Sequence, residues 1–204
     1  DTGLETLSHQ YHRFLRRHIC RGEYRDIRRP ILINSWEAAY FHFDGEKLLG
    51  LARQAAELGV ELFVLDDGWF GIRDNDRSGL GDWTPNEEKL GCTFEQLIGG
   101  IRALGLRFGL WIEPEMVSVD SELYRAHPDW ALQAPGRAPA FSRSQLVLDL
   151  SRADVRAYLY DCIAALLSRY DISYIKWDMN RHLSDVFGRC LPAGRQGELP
   201  HRYV

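Results

Sequence analysis

Two stretches of this chain leave a helix in nearly the same way: Glu57-Leu58-Gly59-Val60 and Ala103-Leu104-Gly105-Leu106. In each, a glycine stands where a helix stops on a left-handed residue, and an apolar run follows at once. Leu48, Leu51, Ala52 and Ala55 precede the first exit at helical spacing. Phe94, Leu97, Ile98 and Ile101 precede the second in the same way. The recurring unit is an amphipathic helix, a stop and an apolar strand. Near-continuous apolar strands between such helices argue for an α/β fold with a parallel sheet covered on its outer face.

Strands are expected over 31–36, 62–66, 106–112, 146–150 and 172–178. Asp44 is a plausible N-cap for the first helix, Thr93 with Gln96 makes a capping box for the second, and Ser151 with Asp154 caps a third. A Gly-rich loop fills 70–92, and a short helix is expected around 121–127. Polar residues gather at the carboxyl end of every strand: Asn34 to Glu37, Asp66-Asp67, Glu113 and Glu115, Asp149, and Lys176 to Asn180. Barrels and open doubly wound sheets both place ligands there. No GxGxxG or Walker loop follows a strand, so a (β/α)8 TIM barrel is favoured. A whole barrel takes about 250 residues. Five strands make an incomplete barrel of about five β/α units, with residues 30–204 as its amino-terminal part. Residues 1–29 are rich in His and Arg and weakly periodic. They read as an extended or partly helical lead-in from an upstream domain, bounded at Arg28-Arg29-Pro30. The start at Asp1 and the polar close at Val204 suggest a fragment.

Composition removes several function classes. The formal charge of −4 on 204 residues leaves no footprint for nucleic acid, and no apolar run has the length of a membrane span. The first thirty residues are charged throughout and do not read as a signal peptide. The 4 cysteines, Cys20, Cys92, Cys162 and Cys190, are scattered without metal spacing. They read as reduced fillers in a cytoplasmic protein.

The chemistry concentrates in Ile172 to Arg181, ISYIKWDMNR. Side chains on a strand alternate between faces, so Lys176, Asp178 and Asn180 share one face while Ile175, Trp177 and Met179 share the other. A cation, a carboxylate and an amide together are costly to bury without partners, and mark a site. Trp36, Trp69, Trp111 and Trp177 lie at or near strand ends among the carboxylates. An indole is a flat platform for the C–H face of a sugar, and carboxylate and amide groups read hydroxyls. This mixture suits carbohydrate better than a hard metal held by carboxylates alone. Glycoside hydrolysis needs two carboxyl groups. Asp178 is the nucleophile candidate, with Lys176 favouring its charged form. Spacing leaves its partner open among Glu113, Glu115, Asp66 and Asp67.

Six motifs, ILINSWEA at 31–38, LDDGWFG at 65–71, GDW at 81–83, GLWIEPEMV at 109–117, LVLDLS at 146–151 and YIKWDMNR at 174–181, resemble the α-galactosidases of glycoside hydrolase family 36. The resemblance covers nearly the whole chain in the family's order. It implies a retaining enzyme on a (β/α)8 barrel that removes terminal α-galactosyl residues from oligosaccharides of the melibiose and raffinose type. It places the nucleophile on Asp178 and the binding of the galactose 4- and 6-hydroxyls on Asp66 and Asp67. Trp36 and Trp111 would line the sugar pocket, Lys176 and Asn180 would hold ring hydroxyls, and Arg143 would bind substrate. No metal or cofactor is implied, and a longer parent would be a homo-oligomer. The family's acid/base is an Asp on a later strand. Asp185 follows Asp178 too closely, in a stretch that reads as helix. The 204 residues alone are therefore expected to be inactive. Galactosyl transfer, as in raffinose-type synthesis, and a non-catalytic galactose-binding remnant are the alternatives, with a metal-dependent lyase more distant.

Overall fold

The computed structural model describes residues 3–204. The chain divides into two units, 1–31 and 32–204. The first holds helix α1 (Leu4–Phe14), a π-type turn over Leu15–Ile19 and a 3-10 turn over Glu23–Arg25. The lead-in is thus partly helical.

The second unit is built on a parallel sheet of β1 (Leu32–Asn34), β2 (Leu62–Leu65), β3 (Arg107–Ile112) and β6 (Tyr174–Trp177), in that order. Leu32 faces Leu62, Val64 faces Gly109 and Trp111 faces Lys176 in the register. Strand β2 is buried at all of its positions, as a continuous apolar run predicts. Gly109 lets its neighbours close in: a Cβ there would come within 3.0 Å of both the Tyr174 ring and Val64 Cγ2.

Helices follow the strands. After a short α2 (Trp36–Ala39) comes α3 (Gly45–Glu57), opened by Asp44, whose Oδ1 accepts the Lys47 amide at 2.8 Å. Its inner face is Leu48, Ala52 and Ala55, and Gly59 ends it at φ 80°. A short α4 (Glu87–Leu90) precedes α5 (Phe94–Ala103), which begins with the full Thr93–Gln96 capping box and is followed by Gly105 at φ 83°. Both helices turn their apolar faces onto the sheet, where Phe63, Leu65, Phe108 and Leu110 complete one core.

The expected fourth strand is a correction. Only Leu146–Val147 is extended (β5), and it pairs antiparallel with Met116–Val117 (β4) in a separate ribbon. The parallel sheet therefore has four strands among the described residues, and the strand carrying Asp178 is its fourth. A parallel crossover needs a covering helix. Among the described residues, the helical pieces between β3 and β5 are α6 (Glu122–Ala126), 5 residues long, and a 3-10 turn over Pro128–Trp130. The 17-residue α7 (Ala153–Arg169) comes later and bridges β3 to β6 instead. The ribbon has its own small core of Val117, Leu123, Trp130, Leu146, Val155 and Leu159.

Two local expectations also change. Ser151 does not cap α7, because Asp149 takes both its hydroxyl and its amide; the N-cap position is Arg152, without a side-chain bond. Asp185 lies in irregular chain rather than helix, accepting the Ala140 amide at 2.9 Å. Near the end come a 3-10 turn over Ala193–Glu198 and α8 (Leu199–Tyr203). Among the described residues no helix is long and apolar enough to cross a membrane.

Candidate active site

All four parallel strands deliver polar side chains at their carboxyl ends. From β1 comes Asn34, whose Nδ2 donates to Asp66 Oδ2. Ser35, the next residue, accepts the Asp66 amide on its hydroxyl at 3.0 Å. Asp66 and Asp67 follow β2 directly and are buried. Trp111 and Glu113 come from the end of β3, and Lys176, Asp178 and Asn180 from β6.

The alternation read from 172–181 is present. Lys176 Nζ donates to Asp66 Oδ2 at 2.8 Å, tying β6 to β2 across β3. Asp178 Oδ2 accepts two bonds of 2.9 Å, from Trp111 Nε1 and Asn180 Nδ2, and its Oδ1 accepts the Met179 amide at 3.0 Å. Trp177 turns the other way, 53% exposed, with Nε1 on Glu115 Oε1 at 2.8 Å. Met179 is exposed too.

The electrostatics follow from these contacts. Partial burial pushes the Asp178 carboxyl up. The donors Trp111, Asn180 and the Met179 amide, with the Lys176 charge behind them, outweigh it and hold the group below the usual carboxylate range. Lys176 is thus a minor contributor to Asp178, and its direct partner is Asp66. Glu113, 1% exposed, goes the other way. Burial pushes it up and the nearby Asp178 charge adds to this, although the Asn180 amide and Gln145 Nε2 both donate to its Oε1. Burial likewise leaves Asp67 above its usual value despite the Arg73 guanidinium against it.

The tryptophans do not act alike. Trp69 is a core residue, stacked on Phe94 with its Nε1 on the Trp111 carbonyl. Trp111 is 2% exposed, one face lying parallel to Phe70. It offers the site an N–H donor rather than an open platform. Trp36, half-buried and held edge-on by Tyr40 and Phe41, keeps accessible ring. Arg143 sits exposed in the turn between Ser142 and Gln145 at φ 51°. Among the described residues no hydrogen bond or ion pair joins it to the cluster, but Gln145 at the turn's base is anchored there through Glu113 and Arg181.

Of the four carboxyls left open as partners of Asp178, each is engaged. Asp66 is held by Asn34 and Lys176, Asp67 by Arg73, Glu113 by Asn180 and Gln145, and Glu115 by Trp177 and Tyr203. Sequence reading missed Ser35, Arg73, Gln145 and Arg181 as site residues. Arg181 stands in the YIKWDMNR motif and Ser35 in ILINSWEA, so both could have been considered; Arg73 and Gln145 carry no local signal.

A parallel α/β sheet with carboxylate, amide, ammonium and indole groups converging at its strand ends defines a carboxylate-lined candidate site. Comparison makes the assignment specific: residues 1–204 match the Melibiase family, and the chain belongs to it. It is 53% identical over 204 residues to the α-galactosidase AgaA of Geobacillus stearothermophilus, covering 100% of this chain and 28% of that protein. It is 50% identical over 202 residues to the bifunctional α-galactosidase/sucrose kinase AgaSK of Mediterraneibacter gnavus, covering 99% of this chain and 21% of that protein. The crystal structure of the family 36 α-galactosidase AgaB from Geobacillus stearothermophilus superimposes with a TM-score of 0.95 at 53% identity, over 100% of this chain and 28% of that one. The chain thus spans about a quarter of the length of the proteins it matches.

Proposed function

We propose that this chain carries the nucleophile and the galactose-recognition groups of a retaining α-galactosidase, on the first four strands of a (β/α)8 barrel, with residues 1–29 as the lead-in to it. The single observation that carries the reading is the Asp178 carboxylate, kept ionised by Trp111 and Asn180 beside the Asp66–Lys176 pair. A nucleophilic carboxylate must be charged and positioned before substrate arrives.

In this reading Asp178 attacks the anomeric carbon of a terminal α-galactosyl group. The C–O bond to the leaving sugar breaks as the Asp178 ester forms. The leaving oxygen takes a proton from a second carboxyl group, which the family supplies from a later strand. Water then opens the ester with that second group as base. Oδ1, which among the described residues carries only the Met179 amide, is the less encumbered attacking oxygen. Asp66 and Asp67 accept hydroxyl protons, Lys176 and Asn180 border them, and Trp36 and Arg143 line the approach. The proposed substrates are α-galactosyl oligosaccharides, supported by a solved relative, an AgaA variant 53% identical to this chain, which is in complex with raffinose.

The test is a 5-fluoro-α-galactosyl fluoride, whose fluoride leaves without protonation. It is expected to form a covalent ester that peptide mass spectrometry locates on Asp178. An adduct on another residue, or none after prolonged incubation, sinks the nucleophile assignment.

A further inference from the structure

We infer that Arg73 is a positioning residue of this site: it acts through Asp67, fixing that side chain as a charged acceptor for one hydroxyl of the sugar. The inference rests on the galactose reading of Asp66 and Asp67 given above.

Arg73 lies in the loop after β2. Its Nε reaches Asp67 Oδ1 at 3.0 Å and Oδ2 at 3.2 Å, and its Nη2 reaches Oδ2 at 2.7 Å. Both side chains are almost wholly buried, at 3% and 7% exposure. The remaining nitrogen, Nη1, donates to the Ser78 carbonyl at 2.9 Å, and the guanidinium stands 5.5 Å from the centre of the Phe41 ring. The fork is therefore held at both ends and cannot swing away from the carboxylate. The loop around it is pinned as well. Lys89 Nζ donates to the Gly68 carbonyl at 2.7 Å and to the Arg73 carbonyl at 3.3 Å. Gly79, at φ 82°, lets the loop fold back, because a Cβ there would lie 3.0 Å from the Arg73 backbone nitrogen.

Acceptor capacity gives this pairing a consequence for recognition. An ionised carboxylate has about four lone-pair sites. On Asp67, the Arg73 fork makes three contacts, Nε to both oxygens and Nη2 to Oδ2. On Asp66, Asn34 Nδ2, Lys176 Nζ and the Asp67 amide occupy three as well. Each aspartate is left with about one site, which accommodates the two hydroxyls that the family resemblance puts on the pair. Asp66 also faces Asp67 and opposes its charge, and Lys89 favours it; a buried carboxylate stripped of its hydrogen-bonded cation shifts towards the neutral form. Arg73 thus sets both the direction and the charge of the acceptor, and a hydroxyl donates best to a charged one.

Galactose titrated against the whole 204-residue protein, by calorimetry between pH 6 and pH 9, tests this with four variants. The wild type is expected to bind with a flat pH profile, and Asp67→Asn to bind about tenfold more weakly. Arg73→Gln is expected to weaken binding about tenfold at pH 6 and to recover towards pH 9, as the unpaired Asp67 ionises. Arg73→Lys keeps a charge without the fork and is expected to lie between, with no recovery. Adding Arg73→Gln to Asp67→Asn is expected to cost nothing more. An Arg73→Gln loss that is the same at every pH would mean that Arg73 only braces the loop, and overturns the inference. So does wild-type affinity in Arg73→Lys, the variant to rely on if Arg73→Gln fails to fold by near-ultraviolet circular dichroism. Unchanged binding by Asp67→Asn, or no galactose binding by the wild type, removes the galactose reading itself and the inference with it.

Discussion

Trp111 Nε1 stands 2.9 Å from Asp178 Oδ2, joining the ends of β3 and β6 across 67 residues of chain. The strands are neighbours in the sheet, and Trp111 faces Lys176 in the register, two residues before Asp178. The indole is buried and packed parallel to Phe70, which aims its N–H at the carboxylate. Such preorganisation suits the nucleophile role proposed for Asp178.

Trp111→Phe keeps most of the ring and removes that donor. A hydrogen bond to a charged group is worth roughly 1.5–3 kcal/mol. The expected result is a loss in kcat/KM of about 10–100-fold on an aryl α-galactoside, measured in the family enzyme carrying the matching change. Asp178 also loses a contact that lowers its pKa, so the acid limb of the kcat/KM profile is expected to move to higher pH. An acid limb that stays in place would show that the indole does not stabilise the charge.

Glu113 should make stability depend on pH in the opposite sense from an ordinary ion pair. Its native pKa is raised above 4.5, so the folded protein holds this proton more tightly than the unfolded chain. The resulting stability is fully present below about 4.5 and is lost as pH rises through the native value. Glu113→Gln removes the charge that burial penalises. Relative to wild type, the variant is expected to gain roughly 1–3 kcal/mol in urea unfolding as pH is taken from about 4 to about 8. A difference that is constant over that range argues against burial as the cause.

Asp154 shows the usual carboxylate case. Arg152 donates to it at 2.7 and 3.0 Å and holds its pKa down at about 2. Its stabilisation is present above the ordinary value of 3.8 and is lost as pH falls through about 2. Asp154 is half exposed, so Asp154→Asn is expected to cost less than about 1 kcal/mol at pH 7. That difference should shrink as pH falls from about 4 and be gone only below about 2. A cost that survives such acid would point to a role other than charge.

Two glycines with positive φ should respond differently to alanine. Gly59, at φ 80°, has nothing within 4 Å of the place a methyl group would take, so Gly59→Ala carries only the left-handed backbone cost of about 1–2 kcal/mol. At Gly81, φ 111°, a Cβ would lie 2.9 Å from Leu123 Cδ2 and 3.0 Å from Leu123 Cβ, in the small core beneath the ribbon. Gly81→Ala is expected to cost clearly more. Equal urea midpoints for the two variants would show that Leu123 yields easily.

The parallel α/β plan, the two glycine stops, the capping box and the shared face of Lys176, Asp178 and Asn180 were all legible in the amino-acid order. Each is local: helical spacing, a left-handed stop and a period of two are written within a few residues. The departure of 146–150 from the main sheet was not legible, because it depends on which long helix covers a crossover. Nor was the role of Trp111 as donor rather than platform, since packing governs which part of an indole stays uncovered. Arg73 lay beyond any sequence signal: its partnership with Asp67 exists only because a glycine-rich loop folds back and buries opposite charges together.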